Sequence, residues 1–158
     1  MTARETVAQA RREVDRKAAD FFNAVSFEAG ELPRFDALHG LFIGRGLLIN
    51  NSAEATVVFT VDEFIGSRRA GFSADAVSRY RVTELSQTTE VFGGIAHRAS
   101  GFVRSGVKAG QAFEVRGMIF MQFVQTPAGW RISAAAWDDQ RPGQTLSGHA
   151  EPTEFGAG

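Results

Sequence analysis

Four long stretches with β character, roughly Arg79 to Phe92, Ile95 to Ser105, Ala112 to Gln125 and Trp130 to Asp138, follow one another across connections of two to six residues. No such connection has room for a crossover, so each stretch must fold back on the one before it and pair antiparallel. Gly93 and Gly94 suit a two-residue turn, Val107 to Gly110 a four-residue loop, and Thr126 to Gly129 a turn carrying Pro127. More than a third of the chain is thereby committed to an antiparallel meander, and the sheet as a whole is expected to be antiparallel.

The residues before this meander read differently. Val7, Ala10, Val14, Ala18, Phe21, Phe22 and Val25 recur at helical steps behind Thr2 and Glu5, which have capping-box spacing. Gly30 suits the helix stop. Pro33 opens a short second helix on which Phe35, Leu38 and Phe42 share a face. Leu47 to Ile49 and Thr56 to Phe59 are short strands around an Asn50-Asn51-Ser52 turn, and Thr60 with Glu63 caps a helix that Gly71 ends. Arg68 and Arg69 belong to that helix's surface, although Arg68 can also point toward the sheet. The reading is one α+β domain over residues 1–140. Beyond it, 141–158 is rich in Pro, Gly, Ser and Thr and reads as a flexible tail.

Charge and composition narrow the partners. Seventeen basic and eighteen acidic residues leave a formal charge of −1, which offers no general field for nucleic acid or anionic lipid. The absence of cysteine removes disulfides, thiol nucleophiles and thiolate metal sites. His39, His97 and His149 are too scattered for a metal site, and no apolar run reaches the roughly 18 residues of a membrane span. The expectation is a cytoplasmic protein with neither metal nor organic cofactor.

Hairpin turns fix which residues oppose one another, and so which share a face of the sheet. If Gln125 opposes Trp130, Gly106 opposes Gln111 and Phe92 opposes Ile95, one face collects Phe113, Ile119, Met121, Phe123, Trp130 and Ile132, and receives the helices. Asp138, Gly117, Ser100 and Gln87 then form one row on that apolar face, with Arg98 one step along. A carboxylate and a guanidinium turned inward need each other or a polar ligand, because an unpaired buried charge costs several kcal/mol. Either a satisfied salt bridge at the sheet's end or the polar floor of a ligand pocket meets that need. A single bulge would bring His97 inside in place of Arg98. On the outer face Met118, Phe120, Ala135 and Trp137 form an apolar patch suited to a homodimer.

The segments Phe35 to Ile49 (FDALHGLFIGRGLLI), Thr60 to Arg69 (TVDEFIGSRR) and Phe92 to Asp139, with its RGMIFMQFVQTPAGWRISAAAWDD, resemble the nuclear transport factor 2-like superfamily, most closely its bacterial SnoaL-like and DUF4440-like members. The resemblance spans about residues 5 to 140. It implies a cone in which a bent sheet wraps around N-terminal helices and encloses a pocket, usually in a homodimer. Enzymes of the superfamily do general acid and base work there with Asp, His, Tyr or Arg. Transferred to this chain, an isomerase's base falls near Asn50 and its acid near Met121, neither of which suits that proton transfer. The dehydratase histidine reduces to His97. Arg98 and Asp138 match two members of an epoxide hydrolase's Asp-Arg-Asp set, with Ser100 where a second carboxylate belongs. The closest analogy is a cyclase carboxylate at Asp138.

Two functions therefore compete. One is a cofactor-independent lyase, isomerase, cyclase or hydrolase with Asp138 as acid or base beside Arg98. Its small hydrophobic substrate would lie among Asn50, Gln87, His97, Ser100 and Met121, walled by Phe21, Phe22, Phe42, Phe64 and Trp130. The other is a noncatalytic ligand-binding or dimerisation module.

Overall fold

A computed structural model describes residues 5–147. A first helix, α1 (Val7–Ala24), leads through a single 3-10 turn, Phe35–Gly40, to strands β1 (Phe42–Asn50) and β2 (Val57–Thr60). The second helix, α2 (Val61–Ala74), is followed by β3 (Val77–Phe92), β4 (Ile95–Lys108), β5 (Gln111–Thr126) and β6 (Gly129–Asp139). All six strands form one sheet in the order β2-β1-β6-β5-β4-β3. The meander is antiparallel throughout, but β1 lies parallel to β6, so the sheet is mixed. The wholly antiparallel expectation fails there because the long route through β2, α2 and three strands provides the crossover that a parallel neighbour needs.

The helix α1 starts four residues later than Thr2 suggests. Thr6 Oγ1 accepts from the Gln9 N–H while the Gln9 side chain accepts from the Thr6 N–H, so the capping box lies one turn further on. Thr2 lies outside the described residues, and Glu5 serves elsewhere. The helix also ends at Ala24, six residues before Gly30, which occupies a left-handed position in a later turn. Thr60 and Glu63 cap α2 as expected, and α2 runs three residues past Gly71. No helix among the described residues is long and apolar enough to cross a membrane.

Two local irregularities decide which side chains face the helices, and a third sets the register of one hairpin. Between β5 and β6, Phe123 pairs with Ile132 but Gln122 pairs with Ala134, so Ser133 is an extra residue on β6. Everything after it changes face. Leu85 is a corresponding extra residue on β3, between the pairs Glu84 with Phe102 and Ser86 with Gly101. The β4–β5 hairpin is tighter than a four-residue loop: Lys108 pairs with Gln111 across Ala109 and Gly110, both with positive φ. Gly106 therefore opposes Phe113 rather than Gln111, which slides the register by two without changing faces.

The core lies between the helices and the inner sheet face. Val14, Ala18 and Phe21 of α1 meet Met121, Phe123 and Ile132 of the sheet, all at most 4% exposed. Trp130 is buried at the hairpin end, where its indole N–H donates to Glu5 at 2.8 Å. Residues 141–147, read from composition as the start of a tail, fold back over the outer face, where Leu146 packs beside Gly101. His149 and the rest of 148–158 lie outside the described residues.

Candidate functional site

The inner face carries two polar clusters among its apolar side chains. The first is built on Arg98, which is 5% exposed and does point inward, leaving His97 outside beside Glu90 at 3.5 Å. Arg98 donates Nε and Nη2 to the two carboxylate oxygens of Glu84 at 3.0 and 2.8 Å, and Nη1 to Asp15 of α1 and to Thr89. Ser100, fully buried, donates to the same Glu84 at 2.6 Å. Glu84 reaches these groups only because the bulge at Leu85 turns it inward. Burial pulls the Arg98 pKa down, but Glu84 and Asp15 outweigh it and hold the net shift upward. This cluster fastens α1 to the sheet, its guanidinium already paired with two carboxylates.

The second cluster lies where the C-terminal end of α1 and the inner side of α2 approach the sheet. They enclose a cavity of about 40 Å³, room for about three water molecules. Phe21, Phe22 and Val25 of α1 and Phe64 of α2 close it from the helix side; Phe102, Ile119 and Trp137 close it from the sheet. Three polar side chains also line it: Arg68, Tyr80 and Arg104.

These three groups differ in how they are satisfied. Arg104 donates Nη2 to Asp139 Oδ2 at 2.7 Å, with both side chains less than a third exposed. Burial alone would depress Arg104, but the Asp139 hydrogen bond, with the Tyr80 hydroxyl close by, raises its pKa instead. The other Asp139 oxygen, Oδ1, is buried with no hydrogen-bond partner. Arg68 forms no ion pair among the described residues. Its guanidinium lies over the rings of Phe64, Phe72 and Tyr80, 4.9, 5.6 and 5.9 Å from their centroids. Burial depresses its pKa; Tyr80 pulls it back up in part, Arg104 adds to the depression, and Asp139 opposes it slightly.

Asp138 is not in this cavity. The bulge at Ser133 pairs it with Met118 and turns it to the outer face, while Trp137 pairs with Ile119 and fills the interior against Phe64 at 6.0 Å. The expected row of Gln87, Ser100, Gly117 and Asp138 is instead Gln87, Ser100, Ile119 and Trp137. On the outer face Asp138 accepts from Arg141 and from Gln144, the latter at 3.1 Å. Burial opposes ionisation there, but Gln144, the Asp139 N–H and Arg141 together hold its pKa below the ordinary value. A carboxylate so held is a poor general base, and Arg98 is nowhere in its hydrogen-bond shell. The outer apolar patch changes by the same slip: Ala134 and Ala136, not Ala135 and Trp137, stand with Met118 and Phe120.

Of the expected lining residues, Phe21, Phe22 and Phe64 line the cavity. Phe42 packs in the core against Phe21, and Met121 is fully buried between Arg98 and Ala135. Asn50 accepts from Ser52 in the β1–β2 turn, and Gln87 stays exposed near the β3–β4 hairpin, bonded to Thr89. Arg68, Tyr80, Arg104 and Asp139 were not on the sequence's candidate roster. Two were within reach. Arg104 continues the inward parity of Phe102, and Arg68 follows Phe64 by one helical turn, with Phe72 one turn further.

The arrangement of a long helix against a six-stranded sheet recurs in solved structures. A nuclear transport factor 2-like superfamily protein from Salmonella enterica serovar Typhimurium superposes with a TM-score of 0.72 over 97% of this chain and 99% of its own, at 12% identity. The chain has the nuclear transport factor 2-like fold. A Kribbella flavida protein matches this NTF2-like chain with a TM-score of 0.73 over 86% of it and 94% of its own length, at 14% identity. A hexachlorocyclohexane dehydrochlorinase, LinA-type3 from Novosphingobium barchaimii, gives 0.69 over 84% and 87%, at 8% identity. No family model and no curated protein matches the sequence. The NTF2-like cone is thus shared at the level of backbone, with side chains almost wholly replaced.

Proposed function

We propose that this chain binds a small, largely apolar molecule in the cavity between α1, α2 and the sheet, as a SnoaL-like or DUF4440-like member of the fold. The observation that carries this reading is the cavity itself: aromatic and aliphatic walls with polar groups gathered around Arg68, Tyr80 and Arg104. Structural neighbours named for small-molecule chemistry, the dehydrochlorinase and a putative aromatic ring hydroxylase from Novosphingobium aromaticivorans, support it. Among the described lining residues there is no His, Asp or Glu, which favours binding over proton transfer. A catalytic reading keeps one foothold, the bare Oδ1 of Asp139 just behind Arg104.

Xenon, small and apolar, tests the cavity directly. Under xenon pressure the NMR resonances of Ile119, Phe102 and Phe64 should shift in a saturable way, and Ile119→Trp, which fills the space, should abolish the response. Unchanged spectra in the wild-type protein would overturn the reading. The proposal also pairs two copies through the outer face, where Met118, Ala134 and Ala136 flank a 53% exposed Phe120. Sedimentation showing only monomer at micromolar concentration would contradict that part.

A further inference from the structure

The cavity's charges do not balance. Two guanidiniums line it, and the one carboxylate behind them, Asp139, is bonded to Arg104 at 2.7 Å. Arg68 is left with ring faces for company. Ring faces compensate a guanidinium taken out of water less fully than a carboxylate does. An anion arriving beside Arg68 would form charge-assisted hydrogen bonds with a planar fork already held in place by stacked rings. Phe64, one turn before Arg68 on α2, and Phe72, one turn after it, fix that side chain from both sides. The Arg98 cluster shows the contrast: there Glu84 and Asp15 satisfy the same guanidinium from the chain's own residues.

We propose that the ligand of this cavity is a small organic carboxylate, its charged group held by Arg68 and its hydrocarbon body held among Phe21, Phe22, Phe102 and Ile119. The inference rests on the cavity reading above and adds the chemical class of the ligand. The size of the cavity selects a short acid, and the ring walls select one without further charge. Arg104 contributes a second positive charge nearby but keeps its own partner, so Arg68 is the residue that distinguishes an acid from its neutral isostere.

The test compares acetate with acetamide, equal in heavy atoms and different in charge, by ligand-observed NMR titration at neutral pH. The wild-type protein should bind acetate at least tenfold more tightly than acetamide, and the Arg68 Nε–H resonance should move with acetate alone. In Arg68→Gln the preference should vanish while xenon binding persists. Equal affinities in the wild-type protein, or an acetate preference that survives in Arg68→Gln, would overturn the assignment and leave the cavity standing. A protein that fails to take up xenon loses the cavity reading and the assignment together. If Arg68→Gln does not fold, the wild-type Nε–H response decides: a shift with acetate supports the proposal, and an unmoved resonance during acetate binding rejects it.

Discussion

Arg98 and Arg104 lie on the same strand, six residues apart, and both turn their guanidiniums toward the helices, yet they do different work. Arg98 is surrounded by two carboxylates and two hydroxyl-bearing residues, and it makes two ion pairs within the chain. Arg104 shares one carboxylate with the neighbourhood of Arg68 and borders open space. A buried charge with its partners complete is scaffold; one whose neighbours remain incomplete is where a ligand gains by entering. Residue type alone does not separate the two cases, since both clusters are built from arginine and acid.

Removing the scaffold arginine should have the largest effect. Arg98→Ala removes a buried side chain and leaves the partly buried Glu84 without its cation, at a cost of about 3 kcal/mol, read as a large fall in the denaturation midpoint. A loss under about 1 kcal/mol would show that the cluster is not what fastens α1. Asp139→Asn is expected to cost less, about 1–3 kcal/mol, because Arg104 keeps a neutral acceptor; denaturant titration measures it. Arg68→Met should be the mildest substitution, within about 1 kcal/mol of wild type, since it removes cation–π contact and also an unpaired charge. A loss as large as that of Arg98→Ala would erase the distinction between the clusters.

A pH experiment sharpens the comparison from outside both. Glu28 joins Arg79 and Arg81 at 2.8 and 2.7 Å, beside the bridge between Phe27 and Tyr80 that leads into the cavity wall. Hydrogen bonds from Arg81 and then Arg79 hold its pKa below the ordinary 4.5. A lowered folded-state pKa contributes stability that is complete above the unfolded value and disappears as pH falls through the folded one. Glu28→Gln should therefore lower stability at neutral pH, where the contribution of Glu28 is complete, and converge on the wild type as pH falls below about 4.5, leaving a flatter acid limb. An unaltered acid limb would mean that these contacts do not survive in solution.

Much of the fold could be read from turn chemistry and periodicity. The hairpins at Gly93-Gly94 and Thr126–Gly129, the Thr60 capping box and the inward parity of Arg98 and Ser100 all follow from local rules. What local rules missed were the extra residues at Leu85 and Ser133 and the parallel neighbour of β6. Neither bulge is marked by Gly or Pro, so nothing in the residue types announced them, and pleat counting passed straight through. Each bulge moved one acid: Glu84 came in to saturate Arg98, and Asp139 replaced Asp138 beside the cavity. Arg104 lies on the same inward parity as Arg98 and Ser100, so its place beside the helices also follows from the pleat.

The extra residue at Ser133 has a bearing on how such a pocket changes over generations. Deleting one residue just beyond it, with the bulge kept, would bring Asp138 to the ligand side in place of Asp139 and swing Trp137 to the exterior. Length changes at that spot thus rewire the interior wholesale, whereas replacements of single amino acids merely retouch it. Lineages sharing this backbone at near-random identity have a discrete mutational route to unrelated cargo.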